Sequence, residues 1–166
     1  MIFVTVGTEN FSFDRLLVAV DEGVSSGKIS SEVNAQTGNS HYVPKLLTHE
    51  RFLPFDKMVE HIRKADMVVS HAGVGSTLLC LSLKKIPILF PRLKERGEHL
   101  DDHQVEFTRQ MEKNGKVIAA YDERDLFYNI SNYEELVRGI EGQSVAPNVN
   151  DSLIDFLKQI AGGDNK

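Results

Sequence analysis

The stretch Met67-Val68-Val69-Ser70-His71-Ala72-Gly73-Val74-Gly75-Ser76-Thr77 limits the possible folds more than any other in the chain. It opens as a short valine-rich run, breaks at a Ser-His pair, crosses two glycines, and resumes with small hydroxyl residues ahead of Leu78, Leu79, Leu81 and Leu83. A β-forming run, a glycine turn and a leucine-rich segment read as strand, tight turn and helix. Gly73 and Gly75 let backbone approach a ligand with no Cβ in the way. Ser76 and Thr77 fall where the first N–H groups of a helix lack an intrahelical acceptor. Those groups and the helix dipole together suit an anion such as phosphate. The spacing is not a Walker A loop, since no Gly-Lys-Ser/Thr follows, and not G-x-G-x-x-G, since Leu78 stands at the third glycine position. On spacing alone two readings stay open: a turn that only joins strand to helix, and a phosphate cradle.

At 166 residues the chain reads as one domain, residues 1–166, with a single core. A formal net charge of −5 speaks against nucleic acid as the main partner. Cys80 is the one cysteine, which excludes a disulfide frame and a thiolate metal site and fits a reducing cytoplasm. Lying mid-helix among leucines, it is expected to be buried and inert. No apolar run approaches the ~20 residues needed to span a bilayer. The start, Met1 to Val6, lacks the basic region of a signal peptide and reads as the first strand.

In order, the chain alternates between β-forming and amphipathic runs. Ile2 to Val6 is a strand ending at Gly7-Thr8. Ser12 is placed to cap a helix whose apolar face is Phe13, Leu16, Leu17 and Val20. Residues 21–32 read as loop, Glu32 to Gln36 as a short strand, and Glu50 to Leu53 as a weak strand closed by Pro54. Phe55, Met58, Val59 and Ile62 repeat at helical spacing and are expected to face the core. Asp66 to Ser70, Ile86 to Phe90 and Lys116 to Ala120 are strands, with helices at Ser76 to Leu83 and Asp102 to Glu112, the latter stopped at Asn114-Gly115. Ser131-Asn132-Tyr133-Glu134 is a capping-box pattern ahead of Leu136, Val137 and Ile140. Leu153, Phe156, Leu157 and Ile160 mark a last amphipathic helix, followed by a frayed tail. This alternation predicts an α/β fold: a Rossmann-like domain with a parallel sheet of about six strands covered on both faces. Ligands in such sheets bind beyond the carboxyl ends of the strands, where strand order reverses. Three loops should converge there: Gly7-Thr8, His71 to Thr77, and Pro91 to Gln104.

These residues carry a resemblance. Val4-Thr5-Val6-Gly7-Thr8 with Phe13-Asp14-Arg15-Leu16, then His71-Ala72-Gly73-Val74-Gly75-Ser76, Pro87, Pro91 and Asp102-His103-Gln104, are similar to the nucleotide-sugar half of GT-B glycosyltransferases of family 28. The likeness covers roughly residues 1–120. It extends to the PssE-like subunits of bacterial capsule and exopolysaccharide synthesis and to the catalytic subunit of the two-part dolichol-pathway N-acetylglucosaminyltransferase. It implies half of a GT-B fold and a hexosyltransferase that uses a UDP-sugar as donor substrate. Gly73, Gly75, Ser76 and Thr77 would hold the diphosphate, with Gly7 and Thr8 lining the same pocket. His71 would lie against the phosphates, His103 and Gln104 would contact the donor sugar, and Asp102 would stand beside them. His71, His103 and Gln104 are thus the candidate catalytic residues. No cofactor or metal is expected, because a helix N-terminus can take the place of a divalent cation.

One position departs from the pattern. Many GT-B enzymes bind the ribose through a glutamate a few residues past the glycines, where this chain has Leu79. Ribose contact must then come from elsewhere, with Glu98 or the backbone as the alternatives. The segment from Pro91 to Asp102, with Lys94, Arg96, Glu98 and His99, is either a solvated mobile loop or a lid over the donor. His41, His49 and His61 read as ordinary surface residues.

A complete GT-B enzyme has two such domains. The resemblance therefore implies a separate membrane-anchored subunit that binds a lipid-linked sugar acceptor, recruits this chain to the inner face of the membrane and supplies the general base. The last helix, around Leu153, Phe156, Leu157 and Ile160, is the expected contact. Two other classes compete: a non-catalytic UDP-sugar-binding regulatory subunit, and an NAD(P)-dependent oxidoreductase. The first turn, Gly7-Thr8-Glu9-Asn10, lacks the dinucleotide glycines and speaks against the second.

Overall fold

A computed structural model of the chain describes residues 1–143. The expected last helix, with Leu153, Phe156, Leu157 and Ile160, lies outside the described residues. Six strands, β1 (Ile2–Thr5), β2 (Val33–Gln36), β3 (Thr48–Glu50), β4 (Met67–Ser70), β5 (Ile88–Leu89) and β6 (Ile118–Ala119), form one sheet in the order β3-β2-β1-β4-β5-β6. Every pairing is parallel, with Ile2 beside Val33 on one side and Met67 on the other. Chain order reverses between β1 and β4, so the crevice of the fold opens beyond Thr5 and Ser70.

Helices α1 (Asp14–Ser25), α2 (Phe55–Lys64), α3 (Val74–Ser82), α4 (His103–Lys113), α5 (Glu123–Ser131) and α6 (Tyr133–Gln143) cover both faces. Side-chain parity along the central strands decides the layers. Ile2, Val4, Met67, Val69 and Ile88 point to one face, where Leu16, Leu17 and Val20 of α1 and Leu126 of α5 bury against them, with α6 packed beside. Phe3 and Val68 point to the other, against Ile62 of α2 and Cys80 of α3, while Leu89 and Val117 meet Phe107 and Met111 of α4. All four residues of β1 and of β4 are buried, as strands covered on both sides require. Cys80 is fully buried, and burial pushes its thiol up to about 12, which keeps it protonated.

Several boundaries fall elsewhere than the sequence indicates. α1 runs to Ser25, into the segment that reads as loop from residue 21. Ser12 does not cap it; Phe13 holds the cap position, and the Ser12 hydroxyl donates to Asp14 Oδ1 at 2.7 Å. β3 occupies 48–50 rather than 50–53, and α3 begins at Val74, two residues earlier than expected. Asn132 rather than Ser131 stands between α5 and α6 and accepts the Leu136 amide. Phe55, expected in the core, is 72% exposed, because the buried stripe of α2 narrows to Ile62. α5 is an element the sequence pattern did not announce. Its signal is short: Asp122 caps it by accepting the Asp125 amide at 2.9 Å, and Leu126 is its one fully buried apolar residue.

Polar residues of α1 explain the underestimate of its length. Asp21 is buried and accepts from the Tyr42 hydroxyl at 2.6 Å, the Lys45 amide at 3.0 Å and the Leu46 amide at 2.8 Å. Asp14 likewise accepts the His41 and Tyr42 amides at 2.8 and 3.0 Å. Two carboxylates thus fasten the 38–47 segment to α1. Burial alone would raise the Asp21 pKa, but the three hydrogen bonds outweigh it and hold the carboxyl below its usual range. Replacing Asp21 by Ala should lower unfolding free energy by about 2–3 kcal/mol. Urea denaturation at neutral pH reads this, and the difference from wild type should shrink as acid protonates the carboxylate.

Candidate functional site

The crevice is built around one imidazole. Beyond β1, Gly7 turns with φ of +77°, and beyond β4 the chain passes His71, Ala72 and Gly73. The His71 ring is wedged between the two glycines: a Cβ on Gly7 or on Gly73 would overlap it. Here the glycines are required by packing as well as by any ligand. Ala72 takes a left-handed φ of 44°, a conformation that costs an L-residue roughly 1–2 kcal/mol. Burial, with the Arg92 guanidinium adding repulsion, drives the His71 pKa down to about 4, so the ring is neutral at physiological pH. Its Nδ1 and the neighbouring Ser70 Oγ are buried without a hydrogen-bond partner. Orphaned polar atoms and strain concentrated at one turn are what a ligand site leaves in the fold.

At the mouth of this turn α3 begins, with Gly73 as its cap residue. The first helical amide to find an acceptor is that of Thr77, which donates to Gly73 O at 3.0 Å. The amides of Val74, Gly75 and Ser76 have no acceptor among the described residues and project from the helix start. Thr77 is fully buried, and its hydroxyl donates to the same Gly73 carbonyl at 2.9 Å, so its side chain serves the helix rather than the opening. Gly75 differs from Gly73: a Cβ there would meet nothing within 4 Å. The fold leaves space over Gly75 that it does not itself need.

The third loop is fastened from below. Arg92, only 1% exposed, donates from Nη1 to the carbonyls of Phe11 at 2.8 Å, Ser12 at 3.3 Å and Glu98 at 3.0 Å, and from Nη2 to Val6 at 2.8 Å. Glu98 is also buried and forms a bidentate pair with Arg15, both contacts at 2.9 Å, while accepting the Leu93 amide at 2.9 Å. Both Glu98 oxygens are therefore taken, which removes it as the ribose contact. The segment is anchored at both ends and is not a free lid; its exposed residues are Lys94 to Gly97, Leu100 and Asp102. Beneath the crevice Arg92 and Arg15 face Glu98, and Glu9 of the first loop acts on Arg92 from the cleft wall.

A cleft of about 490 Å³ lies between the start of α3 and α4, walled by Gly73, Val74, His99, His103, Gln104 and, from the first loop, Glu9. Of the sequence-predicted residues, Gly73, His103 and Gln104 line it. His71 lies beneath, against Gly7, and Gly75 and Ser76 continue the helix mouth beside Val74. Thr8 and Asp102 stand outside the lining: the Thr8 carbonyl accepts from Asn39 at 3.4 Å, and Asp102 Oδ1 accepts the Lys94 amide at 3.1 Å. Gln104 is buried and spends its Oε1 on the Arg92 amide at 3.1 Å, leaving its NH₂ for a ligand. Arg92 and Asp101 were not singled out from sequence, and Arg15 only as part of a motif, with no role given. A lone arginine after a strand-ending proline carries no local signal that it will be buried.

The family profile of the glycosyltransferase family 28 C-terminal domain matches residues 1–135. The chain belongs to this family. The UDP-N-acetylglucosamine transferase subunit ALG13 of Homo sapiens is 37% identical over 124 residues, 69% of this chain, and that of Mus musculus 34% over 122 residues, 68%. The chain spans about a tenth of the length of those two relatives, 10% of each. Among solved structures, the glycotransferase of kitacinnamycin superimposes with a TM-score of 0.57 at 12% identity, covering 95% of this chain and 42% of that one. The calicheamicin glycosyltransferase CalG4 gives 0.51 at 10% identity, covering 99% and 44%. At such identities the likeness is one of fold: this family 28 domain corresponds to somewhat under half of a GT-B glycosyltransferase.

In the family 28 domain the two kinds of glycine separate experimentally. Gly7→Ala should lose at least ~1 kcal/mol of stability from the left-handed backbone alone, before any cost of displacing His71. Gly75→Ala should melt within about a degree of wild type, since alanine favours a helix, yet weaken binding of a nucleoside diphosphate about tenfold by covering the free amides. Thermal melts and UDP titration read both. His71 gives a pH signature. Its folded pKa lies below the unfolded value, so the stability it allows is complete above pH ~6.5 and falls as pH drops toward about 4. Protonation of the unfolded chain should remove on the order of 3 kcal/mol over that window. His71→Gln should flatten that part of the stability–pH curve.

Proposed function

We propose that this domain is the donor-binding catalytic half of a two-component inverting glycosyltransferase that moves a sugar from a UDP-sugar to a lipid-linked acceptor. The observation that carries the reading is three acceptor-less amides at the start of α3, beside a cleft lined by Gly73 and Val74 and near the buried Arg92, where strand order reverses. When the anomeric bond breaks, negative charge grows on the β-phosphate. Amides already aimed at that position stabilise it more in the transition state than in the ground state. His71, being neutral, contributes at most one N–H and no charge. Arg92 and Arg15 stand beneath the crevice as the nearby cations, and the reading expects transfer without a metal. The Gln104 NH₂ and His103 are placed for the sugar, with Gly7 behind the diphosphate.

N-acetylglucosamine is the sugar that the names of the human and mouse relatives favour. The one-sided cleft and the 42–44% coverage of solved GT-B chains support a second wall supplied by a membrane-anchored, acceptor-binding partner. That arrangement would hold this cytoplasmic chain at the inner face of the membrane, in capsule or exopolysaccharide assembly.

Calorimetry of the purified chain should show binding of UDP and UDP-N-acetylglucosamine and no response to NAD(P)H. Co-expression with the partner should give transfer that persists in EDTA. A nucleotide bound away from the α3 mouth, or transfer that disappears on chelation, would overturn the reading.

A further inference from the structure

The cleft that meets the α3 mouth has a charge pattern of its own. Among the described residues no lysine or arginine lines it, while two glutamates do: Glu9 from the first loop and Glu106 from α4. Glu106 shares a helix face with His103 and Gln110, three residues before it and four after, and all three line the cleft. Both glutamates are exposed, and neither carboxylate is held by a hydrogen bond or an ion pair among the described residues. The backbone around Glu9 is fixed on both sides. Asn39 Nδ2 donates to the Glu9 carbonyl at 3.0 Å, and Arg92 Nη1 donates to that of Phe11 at 2.8 Å. The histidines of the wall come with a carboxylate already beside them: Asp101 Oδ1 lies 3.0 Å from His99 Nδ1 and accepts the His103 amide at 3.0 Å. Gln104, only 7% exposed, keeps its Oε1 on the Arg92 amide and brings an NH₂ with no partner to the same cleft.

Unpartnered carboxylates beside an anion cradle are unfavourable unless the ligand brings hydrogen-bond donors to them. A diphosphate brings none, whereas a sugar ring brings several hydroxyls. Resting on the donor reading above, we propose that Glu9 and Glu106 determine donor specificity: they accept hydroxyls of a neutral sugar and turn away a sugar that carries a carboxylate. An ionised carboxylate offers only acceptors and so selects hydroxyls, while the Gln104 NH₂ donates to a sugar oxygen. A uronate would add a third negative charge to two that no lysine or arginine of the cleft offsets, and that repulsion counts directly against the wrong donor. The donor class is then a UDP-hexose or UDP-N-acetylhexosamine, chosen by the charge of the cleft wall. Because both glutamates are exposed, salt should weaken the discrimination.

Calorimetry of the purified chain tests this with donors that differ only in whether the sugar ends in a hydroxymethyl group or a carboxylate. UDP-glucose should bind about tenfold or more tightly than UDP-glucuronate, and UDP-galactose than UDP-galacturonate. Glu9→Gln and Glu106→Gln keep side-chain volume and remove one charge each. Either alone should shrink both ratios, and the two combined should bring them to within about threefold of one, chiefly by tightening the uronates. UDP binding by each variant shows that its nucleotide site persists. In the wild-type chain the ratios should also fall as sodium chloride is raised from about 0.05 M to about 0.5 M. Uronates that bind the wild-type chain as tightly as the neutral donors, or ratios that the combined variant leaves unchanged, overturn the proposal while UDP binding stands. Failure of the wild-type chain to bind UDP overturns the donor reading and this inference with it.

Discussion

The guanidinium of Arg92 is the contact on which the crevice depends. A buried charge is costly unless its hydrogen-bonding groups are met. Here four carbonyls from three separate segments, Val6, Phe11, Ser12 and Glu98, meet its two Nη atoms, with Phe13 stacked 4.7 Å from its centre, while Nε stays buried without a partner. The same residue's amide fixes Gln104, which belongs to α4. One residue, through its side chain and its amide, therefore ties the first loop, the third loop and the cleft wall together. Removing it would strand several buried oxygens at once. Burial lowers its pKa, while Glu9 and Glu98 oppose that shift; an arginine remains charged under such pressure.

Burial, with that fixed charge beside it, settles the protonation of His71. An imidazole buried beside a guanidinium cannot hold a second positive charge, and the ring becomes a neutral wedge between two glycines. Under the proposed function, two tasks that one cationic histidine could combine are separated. Positive potential comes from arginines beneath the floor, and directional hydrogen bonding comes from backbone amides at the helix start. Amides do not titrate, so anion binding in such a cradle is insensitive to pH wherever the fold persists. The cost appears as local strain at Ala72 and as unpartnered atoms on Ser70 and His71.

Much of this was legible in the chain. Valine-rich runs before glycine turns gave β1 and β4, and the spacing of Phe13, Leu16, Leu17 and Val20 gave the buried face of α1, because apolar periodicity reports directly on burial. The glycine turn stood out because paired glycines between a strand and a helix have few uses there, and Gln104 was singled out by the resemblance to family 28. The extent of α1 was hidden because Asp21 is a buried polar residue, and its reason for burial lies some 20 residues away in the 42–46 segment. α5 was hidden because its amphipathic signal rests on little more than Leu126. Phe55 misled in the other direction, since helical spacing does not say how wide the buried stripe will be.

By itself the sequence determined an α/β chain, parallel strands, and a glycine turn fit for an anion, because these follow from local propensity and period. The tertiary structure alone decided which polar groups are already occupied. Glu98 is spent on Arg15, Thr77 on its own helix, half of Gln104 on Arg92 and His103 in part on Asp101, whereas the space over Gly75 and three amides remain free. Availability for a ligand is a property of partners brought together from distant parts of the chain, and no local pattern encodes it.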